Sequence, residues 1–82
     1  MREITIEKLS DNPNPYFVKG KLGTYRMTLG PSVGKAFEAY GRGFSGIFTT
    51  PVKSVEYVND KTIRFKTMNS EYEIVLGEVL DD

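Results

Sequence analysis

The chain has no cysteine and no histidine among its 82 residues. Without cysteine no disulfide can staple the fold, and without thiolate or imidazole the usual zinc sites cannot be built. Cysteine nucleophiles and histidine general bases are excluded on the same ground. No apolar run approaches the roughly 18–20 residues of a membrane span. No Asn-x-Ser/Thr acceptor occurs, and Met1-Arg2-Glu3-Ile4-Thr5-Ile6-Glu7 alternates and carries acids, unlike a signal peptide. An intracellular, cytoplasmic setting is the expectation. Net charge is also missing: eleven basic and eleven acidic residues cancel. A total of zero argues against bulk attraction to a polyanion, provided the charge is evenly spread.

What is present fits one small domain over residues 1–82. Ten aromatics, five Phe and five Tyr, offer large buried areas to so short a chain. Ile4 and Ile6 alternate with polar residues, as in a half-buried strand. Asp11-Asn12-Pro13-Asn14-Pro15 breaks the chain, since proline cannot donate to a ladder. Tyr16–Lys19 reads as a second strand and Gly20–Gly23 as a turn. Thr24–Leu29 alternates again, with Tyr25, Met27 and Leu29 on one face. Then the period changes. Ser32 suits an N-cap, and Val33, Ala36, Phe37 and Tyr40 recur at helical spacing, predicting one short helix near 33–40. Gly34 weakens that helix by about 1 kcal/mol relative to Ala.

The last third reads as strands at Ile47–Thr50, Lys53–Val58, Thr62–Thr67 and Tyr72–Leu76, with Pro51 marking an edge or bulge. A three-residue loop at 59–61 places Tyr57 opposite Ile63 and Val55 opposite Phe65. A four-residue loop at 68–71 places Phe65 opposite Ile74 and Ile63 opposite Leu76. Both registers keep the apolar residues on one face. They set Glu56 beside Arg64 and Lys66 beside Glu73 on the other. The fold expected is mostly β: a small bent antiparallel sheet or SH3-like barrel of about six strands with one short helix. An edge near Ile4–Glu7 would be open to pairing with a second copy, so a homodimer is allowed.

Chemical motifs are sparse. Gly41-Arg42-Gly43-Phe44-Ser45-Gly46 spells the dinucleotide-binding glycine pattern, but that fold needs a strand before it and a helix after it. Gly30–Ala36 resembles a P-loop one residue short, with Ala36 where Ser or Thr must meet magnesium. Arg42–Ile47 partly echoes an RNA-binding strand and fails at Gly46, where a stacking aromatic belongs. Glu71 and Glu73 lie on one face of a strand near lysines, as solvated carboxylates do. No catalytic residue, metal ligand or cofactor site is expected, and no enzyme.

Thr49-Thr50-Pro51-Val52-Lys53-Ser54-Val55, followed by Phe65–Ile74 with its Thr67-Met68-Asn69-Ser70-Glu71-Tyr72 core, resembles a pattern in small phage and prophage proteins of Gram-positive bacteria. The similarity covers residues 44–76. It implies a phage-type origin and a shared fold element rather than an activity. With the small size and the absence of catalytic groups, it makes the expected function protein contact, as a host-directed inhibitor, regulator or virion component in the host cytoplasm. Beside it, Thr50 and Pro51 suit a bend, and Asn69 and Ser70 suit a turn.

The charge is not evenly spread. Residues 1–18 carry net −1, residues 19–53 net +5, and residues 54–82 net −4. One reading is a solvated surface whose lysines neighbour carboxylates from elsewhere. The other is a contact surface of Lys19, Lys21, Arg26, Arg42 and Phe44. It would meet an acidic protein face or, as the alternative function, a nucleic-acid backbone.

Overall fold

The computed structural model of the chain describes residues 1–12, 17–41 and 46–80. Seven strands run through them: β1 (Arg2–Lys8), β2 (Gly20–Met27), β3 (Ala36–Tyr40), β4 (Gly46–Pro51), β5 (Ser54–Tyr57), β6 (Thr62–Lys66) and β7 (Glu71–Val79). They form one antiparallel sheet in the order β4-β3-β2-β1-β7-β6-β5. β4 and β5 stand at its two ends, yet only Val52 and Lys53 separate them. At ~4.8 Å per strand a flat sheet would hold its end strands roughly 29 Å apart. The three chain steps from Pro51 to Ser54 reach about 10 Å. The sheet must curl, and its corner is bonded to the chain beside both end strands. The Val52 amide donates to the Lys35 carbonyl (2.9 Å), and the Lys53 amide donates to the Lys66 carbonyl (2.7 Å). The result is a curled half-barrel.

Its concave face is the core. Ile4 and Ile6 line the floor on β1, the central strand. Phe37, Ala39 and Ile47 come from one wall, and Ile63, Phe65, Tyr72 and Ile74 from the other. Phe37 on β3 meets Phe65 on β6 with ring centroids 4.9 Å apart, although three strands lie between them in the sheet. Phe65 stacks in turn on Tyr72 at 5.2 Å. Each of these large side chains contributes roughly 1.5–3 kcal/mol by leaving water.

Several expectations are corrected. The described residues contain no helix. Over 33–40 the chain turns at Gly34 (φ +91°), whose amide donates to the Val52 carbonyl (2.9 Å), and then runs as β3. Phe37 and Ala39 are buried while Glu38 and Tyr40 are exposed, a period-2 alternation hidden inside the helical spacing. A lone helix of eight residues would be marginal, whereas β4 supplies a ladder. Strand β2 ends at Met27, so Leu29 does not share its face and is 77% exposed. The expected open edge at Ile4–Glu7 does not exist, because β1 is paired with β2 on one side and β7 on the other.

The Gly20–Gly23 turn also lies inside β2. Ile6 is opposite Gly23 and Glu7 is opposite Lys21, which leaves Leu22 as the extra residue of a bulge. Gly20 (φ +118°) and Gly23 (φ +129°) supply the backbone angles that this bulge uses. The expected Tyr16–Lys19 strand falls partly outside the described residues, and Val18 and Lys19 precede β2.

The β5–β6 register is as expected, with Val55 opposite Phe65 and Tyr57 opposite Ile63. The β6–β7 register is displaced by two residues: Phe65 faces Tyr72, and Ile63 faces Ile74. The turn runs over Thr67–Ser70 rather than 68–71. It is closed by the Thr67 amide donating to the Ser70 carbonyl (2.9 Å) and the Ser70 amide donating to Thr67 Oγ1 (3.3 Å). An even displacement preserves the faces but changes the ionic partners. Lys66 faces Glu71, and Arg64 Nε bonds Glu73 Oε2 at 2.7 Å.

Candidate functional site

A period-2 strand with two consecutive apolar residues must turn one of them outward. In β4 Ile47 is buried and Phe48 is 58% exposed. On the neighbouring β3, Tyr40 also faces out, and the two rings meet edge to face at 5.9 Å. The Tyr40 hydroxyl donates to Glu38 Oε2 (3.1 Å), and that carboxylate raises the Tyr40 pKa above its ordinary 10.0. Tyr40 thus carries an apolar ring and a tied, neutral hydroxyl on an exposed face.

Two depressions flank it. One, of about 480 Å³, runs along the β2–β3 connection and is lined by Leu29, Pro31, Lys35, Phe37, Tyr40 and Tyr57 among others. Leu29 and Tyr57 are both more than 70% exposed, large apolar side chains left in solvent at its rim. The other, of about 490 Å³, is lined by Glu3, Leu22, Gly23, Thr24, Tyr25, Arg26, Tyr40 and Gly41. Arg26 stands directly opposite Tyr40 in the sheet, in the single β2–β3 pair. Together these residues form an aromatic patch with a charged rim.

The expected site residues divide. Arg26 belongs to this surface. Lys21 shares its face only because the bulge at Leu22 flips the alternation between them, but it lies at the far end of β2. Lys19 precedes the strand and is exposed. Arg42 and Phe44 lie outside the described residues. Moreover, Lys21 is opposite Glu7 and Arg26 opposite Glu3, so each cation of β2 has a carboxylate of β1 in register. Sequence reasoning did not single out Tyr40, Phe48, Tyr57 or Leu29 for this surface. Phe48 was findable, because one strand cannot bury both side chains of the Ile47-Phe48 doublet on the same face. Tyr40 was masked by the helical spacing, and Tyr57 by its inward register at a strand end that outruns the core.

A second polar cluster closes one end of the half-barrel. Lys8 is 1% exposed, and its Nζ donates to the Asn12 carbonyl (2.7 Å). Asn12 Nδ2 donates to Ser70 Oγ (3.1 Å), Ser10 Oγ to Asn12 Oδ1, and the Glu71 amide to Ser10 Oγ (3.0 Å). These bonds point at one another and lock the end of β1 onto the Thr67–Ser70 turn, which is a structural task.

Thr49, Val52, Thr67 and Ser70 are structural in the same way. Thr49 Oγ1 accepts from the Phe37 amide (3.0 Å) where the β3–β4 register shifts, and it donates to the Thr50 carbonyl (2.7 Å). Val52 is the buried corner. Thr67 and Ser70 close the turn. Compared with known proteins, the chain matches no family model, no curated protein and no solved structure.

Proposed function

We propose that the chain is a small non-enzymatic domain that works by binding a protein, with Leu29, Tyr40 and Tyr57 as the apolar centre of the contact and Arg26 on its rim. The observation that carries this reading is the exposed aromatic and aliphatic set around the Tyr40 depression. Tyr and Arg are the side chains that most often dominate binding energy, and an apolar centre with a polar rim is the usual anatomy of a protein contact. The similarity of residues 44–76 to small phage and prophage proteins supports a phage-type origin, and with it a role as host-directed inhibitor, regulator or virion component in the host cytoplasm. The corner at Val52–Lys53 is in keeping with an SH3-like barrel.

Affinity capture from the source cell tests this, with a nuclease-treated control and the double variant Leu29→Ser, Tyr57→Ala run in parallel. A protein held by the wild type and lost by the variant supports the reading. A protein held equally by both contradicts the assigned surface.

A nucleic-acid-binding barrel is the second reading, favoured by Lys21 and Arg26 standing on one face. It predicts nuclease-sensitive capture and an affinity that falls steeply with salt. The carboxylates of Glu3 and Glu7 in register with those cations count against it.

A further inference from the structure

The sheet has two end strands, and they differ in charge. β5 (Ser54-Val55-Glu56-Tyr57) carries Glu56 in mid-strand, whereas β4 (Gly46-Ile47-Phe48-Thr49-Thr50-Pro51) carries no charge at all. Among the described residues β4 pairs only with β3, so its other side presents a row of backbone donors and acceptors. Natural edges are protected by lysines, prolines, bulges or extreme shortness. β4 has only the terminal Pro51 and the register shift opposite Ala36–Glu38. Beside the open backbone stands the Phe48 ring on Tyr40. Gly46 leaves room for it, since a Cβ there would lie 3.1 Å from Phe48 Cε2.

An open strand edge is complementary to an extended backbone, and an uncharged edge takes a copy of itself without repulsion. A copy of β4 related by a two-fold axis runs antiparallel and brings no like charges together. Pairing β5 with its own copy would instead bring two Glu56 carboxylates to one seam. The zero net charge of the chain adds no long-range repulsion. We propose that the protein forms a symmetric dimer by antiparallel pairing of β4 with β4 of a second copy, with Phe48 packing across the seam. Six residues a side give less contact than the ~1,200–2,000 Å² of stable complexes. The dimer is therefore weak and concentration-dependent. This inference does not depend on the partner proposed above.

Sedimentation velocity on the full chain over about a hundredfold range of concentration tests it. The wild-type mass should rise from the 9.3 kDa monomer toward twice that value. Phe48→Lys and, separately, Thr50→Lys change exposed positions and set like charges across the seam. Each should stay monomeric throughout, with a wild-type thermal midpoint, while Glu56→Lys on the other edge should associate as the wild type does. A wild type that stays monomeric overturns the proposal, and so do lysine variants that dimerise like the wild type. Partner capture is read on Leu29 and Tyr57, so either proposal can fail without the other.

Discussion

Among the described residues Tyr72 is the largest fully buried side chain, and burial raises its pKa above the ordinary 10.0, with the Ser70 hydrogen bond pulling the other way. The folded state therefore holds this proton to higher pH than the unfolded chain. The associated stability is complete below about pH 10 and is lost as pH rises through the folded value. Urea midpoints taken from about pH 9 to about pH 11 should fall for the wild type, and fall less for Tyr72→Phe. Gly23 is the other residue on which a local structure turns. Its φ of +129° is poorly accessible to other residues, while a methyl group placed on its Cα would lie 3.5 Å from the nearest side-chain atom, in Tyr25, and would not clash. Gly23→Ala should cost about 1–3 kcal/mol through backbone strain, read as a lower denaturation midpoint at unchanged slope.

At the scale of elements, the β6–β7 register makes a sharp prediction. Cross-strand nuclear Overhauser contacts should join Phe65 to Tyr72 and Ile63 to Ile74, and none should place Phe65 directly opposite Ile74. The β5–β6 register was legible from sequence because, of a two-residue and a three-residue loop, only the three-residue loop kept Val55, Tyr57, Ile63 and Phe65 on one face. The β6–β7 register was not, because two placements of the turn differ by an even displacement and bury the same faces. What separates them is the Thr67–Ser70 bonding, a tertiary detail. β3 was illegible for a related reason. Val33, Ala36, Phe37 and Tyr40 satisfy the helical period while Phe37 and Ala39 satisfy the strand period, and the choice is made by β4 alongside. The bulge in β2 hid likewise behind two glycines that suit a turn equally well.

The curl of the whole molecule can be tested through Phe37 and Phe65, which meet only if the two halves of the sheet close on one another. Either residue changed to Ala should cost about 3–5 kcal/mol, and the double-mutant cycle should return a coupling of roughly 0.5–1.5 kcal/mol. Additive losses would mean that the walls do not touch. The same curl carries the functional account, since it brings Tyr57 of β5 to the depression beside Tyr40 of β3. Charge at this scale is less polarised than its distribution along the chain suggests. The basic stretch 19–53 places Lys21 and Arg26 in register with Glu7 and Glu3 of the acidic N-terminal stretch. A total of zero is thus partly a local cancellation, and the surface that remains distinctive is aromatic. The measurement that bears most directly on that claim is a titration of the captured partner against the wild type and the Leu29→Ser, Tyr57→Ala variant, both confirmed folded by thermal melting. The account predicts a loss of affinity of about thirtyfold or more in that variant and little change in Lys19→Ala, Lys21→Ala. Equal affinity for the wild type and the Leu29→Ser, Tyr57→Ala variant, or a loss confined to the lysine variant, would contradict it.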